Sequence, residues 1–447
     1  MEFVYREPLR ETVIESGKVR GVRGNNPRFT VYKGVPYAAP PVGPLRWHRP
    51  QPAAPWEGVR DCVEFSPECV QCRRRYADTS AWVRDFCQYE APQSEDCLYL
   101  NVWTPAVSAD ERLPVLVWIH GGAYANGSGS EVQDDGEGYC KRGCVFVSFN
   151  YRLHALGYLA HPDLAKEDPE GLCGNYGLYD QIAALQWIQR NIAAFGGDPD
   201  RVTIMGQSAG AGACLALSLS PLTKGLFHRA IIESGIITGD WWNSCPPTQA
   251  EGEAYGLEFM EEMGCKSLEE LRAKPAEALC IDEGMMEQRP FLPVLDGVVL
   301  NEWFLPALRA GHGHELDIMM GNTIDEHSVR EGRLLMDDVE LMGAIQETLG
   351  RKGIFAYCFA RGWPGPDHPG AIHGAEHWYQ FETLYRCWRP FTGEDFELSV
   401  QMCDYFANFV KSGDPNGGEL PAWTRYTAKD PQCMMLGVER EMHSVLR

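Results

Sequence analysis

Short, almost wholly apolar runs occur along the middle of the chain. Leu113–Ile119 reads LPVLVWI, Val145–Phe149 reads VFVSF and Val202–Met205 reads VTIM. Runs of this length without polar alternation are typical of strands that are buried on both faces of a sheet. Asp180–Ala194 instead has apolar residues at three- and four-residue spacing, which predicts an amphipathic helix. Alternation of such strands and helices predicts an α/β fold with a doubly wound, mostly parallel sheet.

Two further helical regions are predicted in the second half of the chain. Residues 249–288 are acidic, and we expect their charged face to be solvated. Residues 396–410 have a helical apolar period. The residues that define its predicted apolar side are Phe396, Val400, Cys403, Phe406 and Val410.

The composition is that of an ordinary globular protein. Of the 447 residues, 44% are hydrophobic and 23% are charged, which argues against long disordered or fibrous regions. No apolar run approaches the roughly 18 residues that are needed to span a bilayer. The first residues, MEFVYREPLRET, lack the apolar stretch of a signal peptide, so we expect a cytoplasmic protein without a membrane partner.

The chain is strongly acidic. It contains 40 Lys and Arg residues against 62 Asp and Glu, and its formal net charge is −22. Such a surface repels phosphate backbones, so nucleic acid is not an expected partner. The 16 cysteines are irregularly spaced, and in a cytoplasmic chain we expect them to be reduced thiols.

The pentapeptide GQSAG at residues 206–210 fits the G-x-S-x-G pattern, with Ser208 at its centre. A strand-like run, Arg201–Met205, precedes it, and a small-residue helix, Ala209–Leu217, follows it. In such a strand-turn-helix the serine is held on a strained bend, and the flanking glycines avoid a collision with the turn. Ser208 is therefore predicted to be a nucleophile. The alternative is an ordinary helix start with a capping serine.

A second glycine-rich turn, HGGAY at residues 120–124, directly follows the apolar strand that ends at Ile119. Ligands of open α/β sheets lie at the carboxyl ends of the strands, and backbone N–H groups of such a turn can point into that crevice. The turn is therefore a candidate oxyanion hole.

A nucleophilic serine needs a base, and the base needs an acid that fixes its tautomer. The chain order Ser, acid, His places both partners after the serine. Asp325 and Glu326 follow an apolar strand end and are both candidates for the acid. His373, His368 and His377 are all candidates for the base. The residues alone do not separate these alternatives.

Several motifs occur in a fixed order along nearly the whole chain. Besides the HGGAY turn and the GQSAG elbow they are YKGVPYAAPPVGPLR (32–46), EDCLYLNVW (95–103), NYRL (150–153), GNYGLYDQ (174–181), FGGDP (195–199) and FVKSGDPN (409–416). In this order they resemble the type-B carboxylesterases, which include cholinesterases and bacterial p-nitrobenzyl esterases. The resemblance implies an α/β-hydrolase fold, with a central, mostly parallel twisted sheet flanked by helices. It implies one domain over 1–447, with helical insertions around 236–290 and 328–370.

The resemblance also implies which residues act. The acid falls on Glu326 and the base on His373. The oxyanion donors are the backbone N–H groups of Gly122, Ala123 and Ala209. The segment from Glu326 to His373 is shorter than in most relatives, so we expect part of the helical wall around the site to be trimmed.

Other positions match supporting residues of that family. Ser234 matches a serine beside the triad, and Trp241 matches a tryptophan that lines the acyl pocket in some members. Cys69 and Cys97 match a disulfide of secreted relatives, which we expect to be unformed in a cytoplasmic chain. Two structural ion pairs are also implied: Arg46 with Glu95 and Arg152 with Asp180.

Residues 373–377 read HGAEH and also fit the H-x-x-E-H zinc signature. That site requires both histidines on one helix face. Gly374 and the nearby Pro369 disfavour such a helix, so we expect neither a metal nor another cofactor.

These features together predict a serine carboxylesterase that hydrolyses neutral, short- to medium-chain esters through an acyl-enzyme. The expected partner is a small-molecule ester. With His373 as base, activity should fall as the pH drops through about 6.5, the unperturbed histidine value. The residues leave lipase or amidase activity as alternatives. A non-catalytic adhesion protein is disfavoured because all three triad residues are present.

Overall fold

The described part of the chain forms a 13-stranded sheet. The computed structural model describes residues 7–71, 81–86, 91–238, 246–280, 291–326, 336–437 and 440–444. The strands are β1 (Glu11–Ile14), β2 (Gly17–Arg23), β3 (Thr30–Pro36), β4 (Val59–Cys62), β5 (Tyr99–Thr104), β6 (Leu113–Ile119), β7 (Val145–Phe149), β8 (Gly197–Gln207), β9 (Arg229–Glu233), β10 (Asp317–Thr323), β11 (Phe355–Phe359), β12 (Gln432–Leu436) and β13 (Arg440–Ser444). The α-helices are α1 (Ala81–Phe86), α2 (Glu137–Lys141), α3 (His154–Tyr158), α4 (Pro162–Glu167), α5 (Tyr176–Asn191), α6 (Ala209–Leu219), α7 (Gln249–Glu262), α8 (Leu268–Arg272), α9 (Phe304–Arg309), α10 (Met336–Thr348), α11 (His377–Gln380) and α12 (Gly393–Ser412).

The strands lie in the order β1-β2-β3-β5-β7-β6-β8-β9-β10-β11-β12-β13, with β4 beside β2. Every neighbouring pair from β7 to β12 is parallel. The pairs along the path at the two margins are antiparallel. The predicted mostly parallel sheet is confirmed. Because parallel neighbours need crossover connections, helices cover both faces of its centre.

Successive residues of β6 pack into two different cores. Val115, Val117 and Ile119 belong to the core that contains α5 and α6, whereas Leu116 and Trp118 belong to the core that contains α12. All five side chains are fully buried. The prediction of a strand buried on both faces is therefore confirmed.

The apolar side predicted for the C-terminal helix is partly wrong. In α12, Phe396 and Val400 are 43% and 46% exposed. The face against the sheet includes the predicted Cys403, Phe406 and Val410, and Leu398 and Met402 complete it. Two apolar stripes overlap on this helix, and contact with the sheet rather than the helical period decides which one is buried.

The segment predicted as a helical insertion over 328–370 is helical only in its described first part, at α10. Phe355–Phe359 forms strand β11, which is parallel to β10 on one side and β12 on the other. The correction has a physical reason, since all five residues of this run are buried and fill both faces of the sheet. In the other predicted insertion, 236–290, the described residues include α7 and α8.

Both predicted ion pairs are confirmed. Arg152 and Asp180 are buried, and the guanidinium donates to both carboxylate oxygens over 2.7 and 2.8 Å. Arg46 donates to Glu95 through Nε over 2.7 Å. Among the described helices, none combines the length and the apolar character needed to cross a bilayer.

Candidate active site

The predicted site residues follow neighbouring parallel strands. Strands β6, β8, β9 and β10 lie side by side, and their last residues are in register, with Ile119 opposite Gly206 and Gln207 opposite Glu233. Glu233 is in turn opposite Gly321 of β10. The carboxyl ends of parallel strands meet at one edge of a sheet. The turn after β6, Ser208, Ser234 and Glu326 are therefore brought to the same edge.

Ser208 occupies a strained bend between β8 and α6. Its φ and ψ angles are 58° and −122°, a combination that residues other than glycine rarely adopt. The Ser208 N–H donates to the carbonyl of Glu233 over 3.0 Å, and its own carbonyl accepts from Gly212 over 2.9 Å. These bonds hold the serine at the start of a helix whose first N–H groups face the same edge.

Backbone atoms pack so closely around the two glycines of the GQSAG motif that a Cβ atom would not fit at either position. A Cβ at Gly206 would lie 2.5 Å from the carbonyl oxygen of Gly210. A Cβ at Gly210 would collide with the carbonyl of Ile119, at the end of β6. The motif therefore lets α6 begin directly against the strand that leads into the second glycine-rich turn.

The turn after β6 has consecutive positive φ angles, 99° at Gly122, 56° at Ala123 and 58° at Tyr124. This conformation turns successive N–H groups to one side. Within the described part of the chain, the N–H groups of Gly122, Ala123 and Ala209 donate to no other residue. A Cβ at Gly121 would lie 3.3 Å from the Cβ of Ser208, so the turn lies beside the serine.

Contacts from the following loops fix this turn. Tyr151 donates its hydroxyl to the carbonyl of His120 over 2.8 Å, and the two rings stack at a centroid distance of 4.3 Å. The His154 N–H donates to the carbonyl of Tyr124 over 2.7 Å. Burial lowers the pKa of His120 to about 4, so this imidazole is neutral and structural at pH 7.

Glu326 and His373 form a hydrogen-bonded pair through Oε1 and Nδ1. The other carboxylate oxygen of Glu326 accepts from the hydroxyl of Ser234 over 2.6 Å and from Thr323 over 3.2 Å. A carboxylate whose two oxygens both accept hydrogen bonds is held in one orientation. It also fixes the tautomer of the imidazole in which Nδ1 is protonated. Thr323, which the sequence did not single out, is the last residue of β10.

The pair changes the titration of both groups. Burial raises the pKa of Glu326, but the charge and hydrogen bond of His373 and the Ser234 hydroxyl outweigh this, so the net pKa is lowered. Desolvation lowers the pKa of His373, but the charge and hydrogen bond of Glu326 raise it above its ordinary value. The carboxylate thus stays ionised and favours the imidazolium form of its partner.

Gln207 was missed by the sequence reasoning. Its side-chain Nε2 lies 3.1 Å from Nε2 and 3.3 Å from Nδ1 of His373. Because Gln207 directly precedes Ser208, this contact places the imidazole next to the bend. The one sequence signal was its position inside the G-x-S-x-G motif, where the pattern specifies no residue type.

The candidate acids and histidines have different partners in the structure. The Asp325 carboxylate accepts from the backbone N–H of Ala371 over 2.7 Å, while its neighbour Glu326 contacts His373. His377 faces Asp134 instead, with 3.5 Å between Nδ1 and Oδ1. Trp241, the predicted acyl-pocket residue, lies outside the described residues.

The zinc motif does not form a ligand set. Gly374 has a φ of 81°, so α11 begins only at His377 and the two histidines of the motif do not share a helix face. They face Glu326 and Asp134 respectively. No cluster of three or more His, Cys, Asp or Glu side chains in the described ranges has the geometry to hold a metal ion.

Cys69 and Cys97 are both buried and carry free thiols. The two thiols lie within hydrogen-bonding reach, and this contact together with burial raises the pKa of Cys97 well above its ordinary value. A thiol held in its protonated form is a poor nucleophile for exchange.

Comparison with known proteins agrees with this architecture. A model of the carboxylesterase family matches residues 9–352 and 336–447. Fumonisin B1 esterase of Sphingopyxis macrogoltabida is 33% identical, over 92% of this chain and 84% of that protein. Cocaine esterase of Homo sapiens is 32% identical, over 98% and 89%. A solved structure of a PNB esterase superposes with a TM-score of 0.82 at 27% identity and covers 97% of both chains.

The open, mostly parallel sheet flanked by helices, shared with that solved structure, defines an α/β-hydrolase. The chain belongs to the carboxylesterase family. It is accordingly a carboxylic ester hydrolase that acts on small-molecule esters.

Proposed function

We propose that this chain hydrolyses esters by a serine mechanism, with Ser208 as nucleophile, His373 as base and Glu326 as the acid that orients it. The observation that supports this best is the hydrogen bond between Glu326 and His373 at the sheet edge where Ser208 occupies a strained bend. Gln207 links the two parts, since it neighbours Ser208 in the chain and contacts the imidazole.

In the acylation step, Ser208 Oγ forms a bond to the ester carbonyl carbon while His373 Nε2 takes the hydroxyl proton. The tetrahedral intermediate then breaks its bond to the alkoxide, and the imidazolium returns the proton to that leaving group as the alcohol departs. In deacylation, a water molecule gives its proton to His373 and attacks the acyl carbon. The carboxylic acid leaves and Ser208 regains its proton.

The oxyanion of both intermediates would be bound by the N–H groups of Gly122, Ala123 and Ala209. Their positive-φ turn and helix start leave these donors without another partner in the described structure. Each such donor is worth roughly 3–4 kcal/mol to the transition state. Ala123 keeps its N–H, so its methyl group does not remove a donor.

Neutral, short- to medium-chain esters are the proposed substrates. The formal net charge of −22 repels anionic ones. Fumonisin B1 and cocaine esterases share the family, but neither name identifies the ester that this chain hydrolyses.

The decisive test is labelling with a fluorophosphonate, followed by peptide mapping. We expect a single adduct on Ser208, loss of p-nitrophenyl butyrate hydrolysis in step with labelling, and neither in Ser208→Ala. An adduct elsewhere, or full activity of Ser208→Ala, would overturn the serine mechanism. Parallel assays with emulsified triglycerides and anilides test lipase and amidase activity, and soluble short-chain esters should be hydrolysed fastest.

A further inference from the structure

Two buried glutamates lie close to the proposed nucleophile and base in the fold or along the chain. Glu233 ends β9, and its carbonyl accepts the hydrogen bond that holds Ser208. Glu376 is the residue immediately before α11, three residues after His373. Both side chains are completely buried, and neither has a role in the acylation steps.

Gln380 places the two carboxyl groups on facing elements. Its Nε2 donates to Oε2 of Glu233 over 3.0 Å. Its backbone N–H donates to the carbonyl of Glu376 over 2.9 Å, one helical turn earlier. Residues one turn apart lie on the same side of a helix, so Glu376 is presented to Glu233 together with Gln380.

These carboxyl groups have too few hydrogen-bond donors to be two separate anions. Of their four oxygens, only Oε2 of Glu233 has a partner among the described residues, and both oxygens of Glu376 lack one. An ionised buried carboxylate without donors is strongly disfavoured, and two such groups in one place more so.

Other ionisable groups face the pair. His377 stabilises the anionic form of Glu376, while Glu326 opposes it, and Asp134 opposes the anionic form of Glu233. The remaining groups on neighbouring elements are His373, Tyr139 of α2, Cys214 of α6, and Tyr357 and Cys358 of β11. Burial raises the pKa of these phenols and thiols, so they are neutral near pH 7.

We propose that Glu233 and Glu376 share one proton, and that where this proton resides sets the charge beneath His373. Glu376 is then a positioning residue for the base, acting through charge and not through contact with substrate. The inference rests on the proposed role of His373. It adds a pair of carboxyl groups to the triad, supplied by the end of β9 and the residue before α11.

The titration of the groups agrees with this arrangement. Burial, with Glu326 adding to it, raises the pKa of Glu376 to about 7. Burial and then the charge of Glu376 raise the pKa of Glu233 well above its ordinary value. The charge of Glu376 also raises the pKa of His373, after the larger effect of Glu326.

The test is the pH dependence of kcat/KM for p-nitrophenyl butyrate in two isosteric variants. The acid limb is the part of the pH profile in which kcat/KM falls as His373 becomes protonated. Glu376→Gln removes the anion beside His373, so this limb should move to lower pH. Glu233→Gln removes the competitor for the proton, so Glu376 ionises more readily and the limb should move to higher pH. Each shift should be roughly half to one pH unit.

A merely structural role predicts no such pattern, because lost packing would weaken both variants without moving their limbs in opposite directions. Glu397→Gln, which removes the same charge from the exposed face of α12, is the matched control and should leave the limb in place. Unmoved limbs, or shifts in one direction, would overturn the proposal. So would a wild-type limb that moves when choline replaces sodium, since a bound cation would then neutralise the pair.

Fluorophosphonate labelling keeps this test separate from that of the proposed function. If Ser208 is labelled and the limbs do not move apart, the serine mechanism stands and the shared proton is wrong. If Ser208 is not labelled, the serine mechanism itself is wrong.

Discussion

At the scale of single residues, the adjacent acids Asp325 and Glu326 differ in which group they contact. Both follow β10, but only Glu326 contacts the imidazole of His373, and its second oxygen is held by Ser234. Asp325 accepts instead from a backbone N–H. The two side chains have different partners, so Asp325 does not supply the contact with the imidazole that Glu326 makes.

Glu326→Gln should lower kcat by about 10²–10⁴-fold, because an amide no longer fixes the tautomer or stabilises the imidazolium. Asp325→Asn is the matched control, since its amide oxygen can still accept from Ala371, and its kcat should stay within about threefold of the wild type. Steady-state kinetics on p-nitrophenyl butyrate measure both. Equal losses would mean that the acid is misassigned.

The acid limb of the wild-type pH profile follows from the same pair. Glu326 raises the pKa of His373, so the ring remains protonated, and unable to act as base, up to a higher pH than a free histidine. We expect kcat/KM to fall below a midpoint that lies above about 6.5. This expectation lies above the unperturbed value that the sequence alone predicts. A midpoint near pH 5 would contradict His373 as the base.

At the scale of elements, the elbow depends on how closely α6 approaches the end of β6. Gly210→Ala places a methyl group against the carbonyl of Ile119, and the helix must shift away from the strand. We expect a loss of about 1–3 kcal/mol in stability and a larger loss of kcat, because the shift displaces Ser208 and Ala209 together.

Gly393→Ala, at the first residue of α12, is the control for that prediction. No atom lies within 4 Å of a Cβ there, so the variant should keep both its stability and its activity. Urea unfolding and kcat measured on the two proteins would test the pair. A fully active Gly210→Ala enzyme would show that the close approach is not needed.

The elements also differ in how far their sequences determine them. LPVLVWI is apolar on both faces and makes a central strand with the predicted bounds. FAYCF at 355–359 has the same character, but it lies within a segment interpreted through family resemblance as an insertion, and only its pairing with β10 and β12 reveals it as a strand. Pairing partners are distant in sequence, so local pattern does not specify them.

At the scale of the whole molecule, buried ion pairs connect loops that the sheet alone does not fix. Arg152 and Asp180 connect the loop after β7 to α5, and Arg152 also donates to the carbonyl of His48 over 2.9 Å. Both side chains are almost fully buried, so neither charge can be solvated by water if its partner is removed.

Asp180→Asn should therefore reduce the free energy of unfolding by about 3–5 kcal/mol, because it leaves a buried guanidinium without its counter-ion. Glu15→Gln breaks the ion pair of Glu15 with Arg190, whose side chains are 38% and 51% exposed. It should change stability by less than about 1 kcal/mol. Urea titrations followed by tryptophan fluorescence compare the two, and similar losses would contradict the role of burial.

The net charge of −22 acts on substrate encounter at this same scale. An ester that ends in a carboxylate should be hydrolysed with a lower kcat/KM than a neutral ester of equal length, and the difference should shrink as salt screens the repulsion. The ratio of kcat/KM for the two esters, measured from low salt to 0.5 M salt, would test this prediction. A salt-independent ratio would show that the field around the site is not set by the total charge.

The sequence by itself determined the alternation of strands and helices, the strained serine bend and the glycine-rich turn after β6, because each depends on neighbouring residues and on glycines at fixed spacing. Only the tertiary structure decided which acid reaches His373, that Gln207 contacts the imidazole, which stripe of α12 is buried and that the carbonyl of Glu233 accepts from the N–H of Ser208. Those outcomes depend on the register and direction of strands far apart in the chain, and a local pattern carries no information on such contacts.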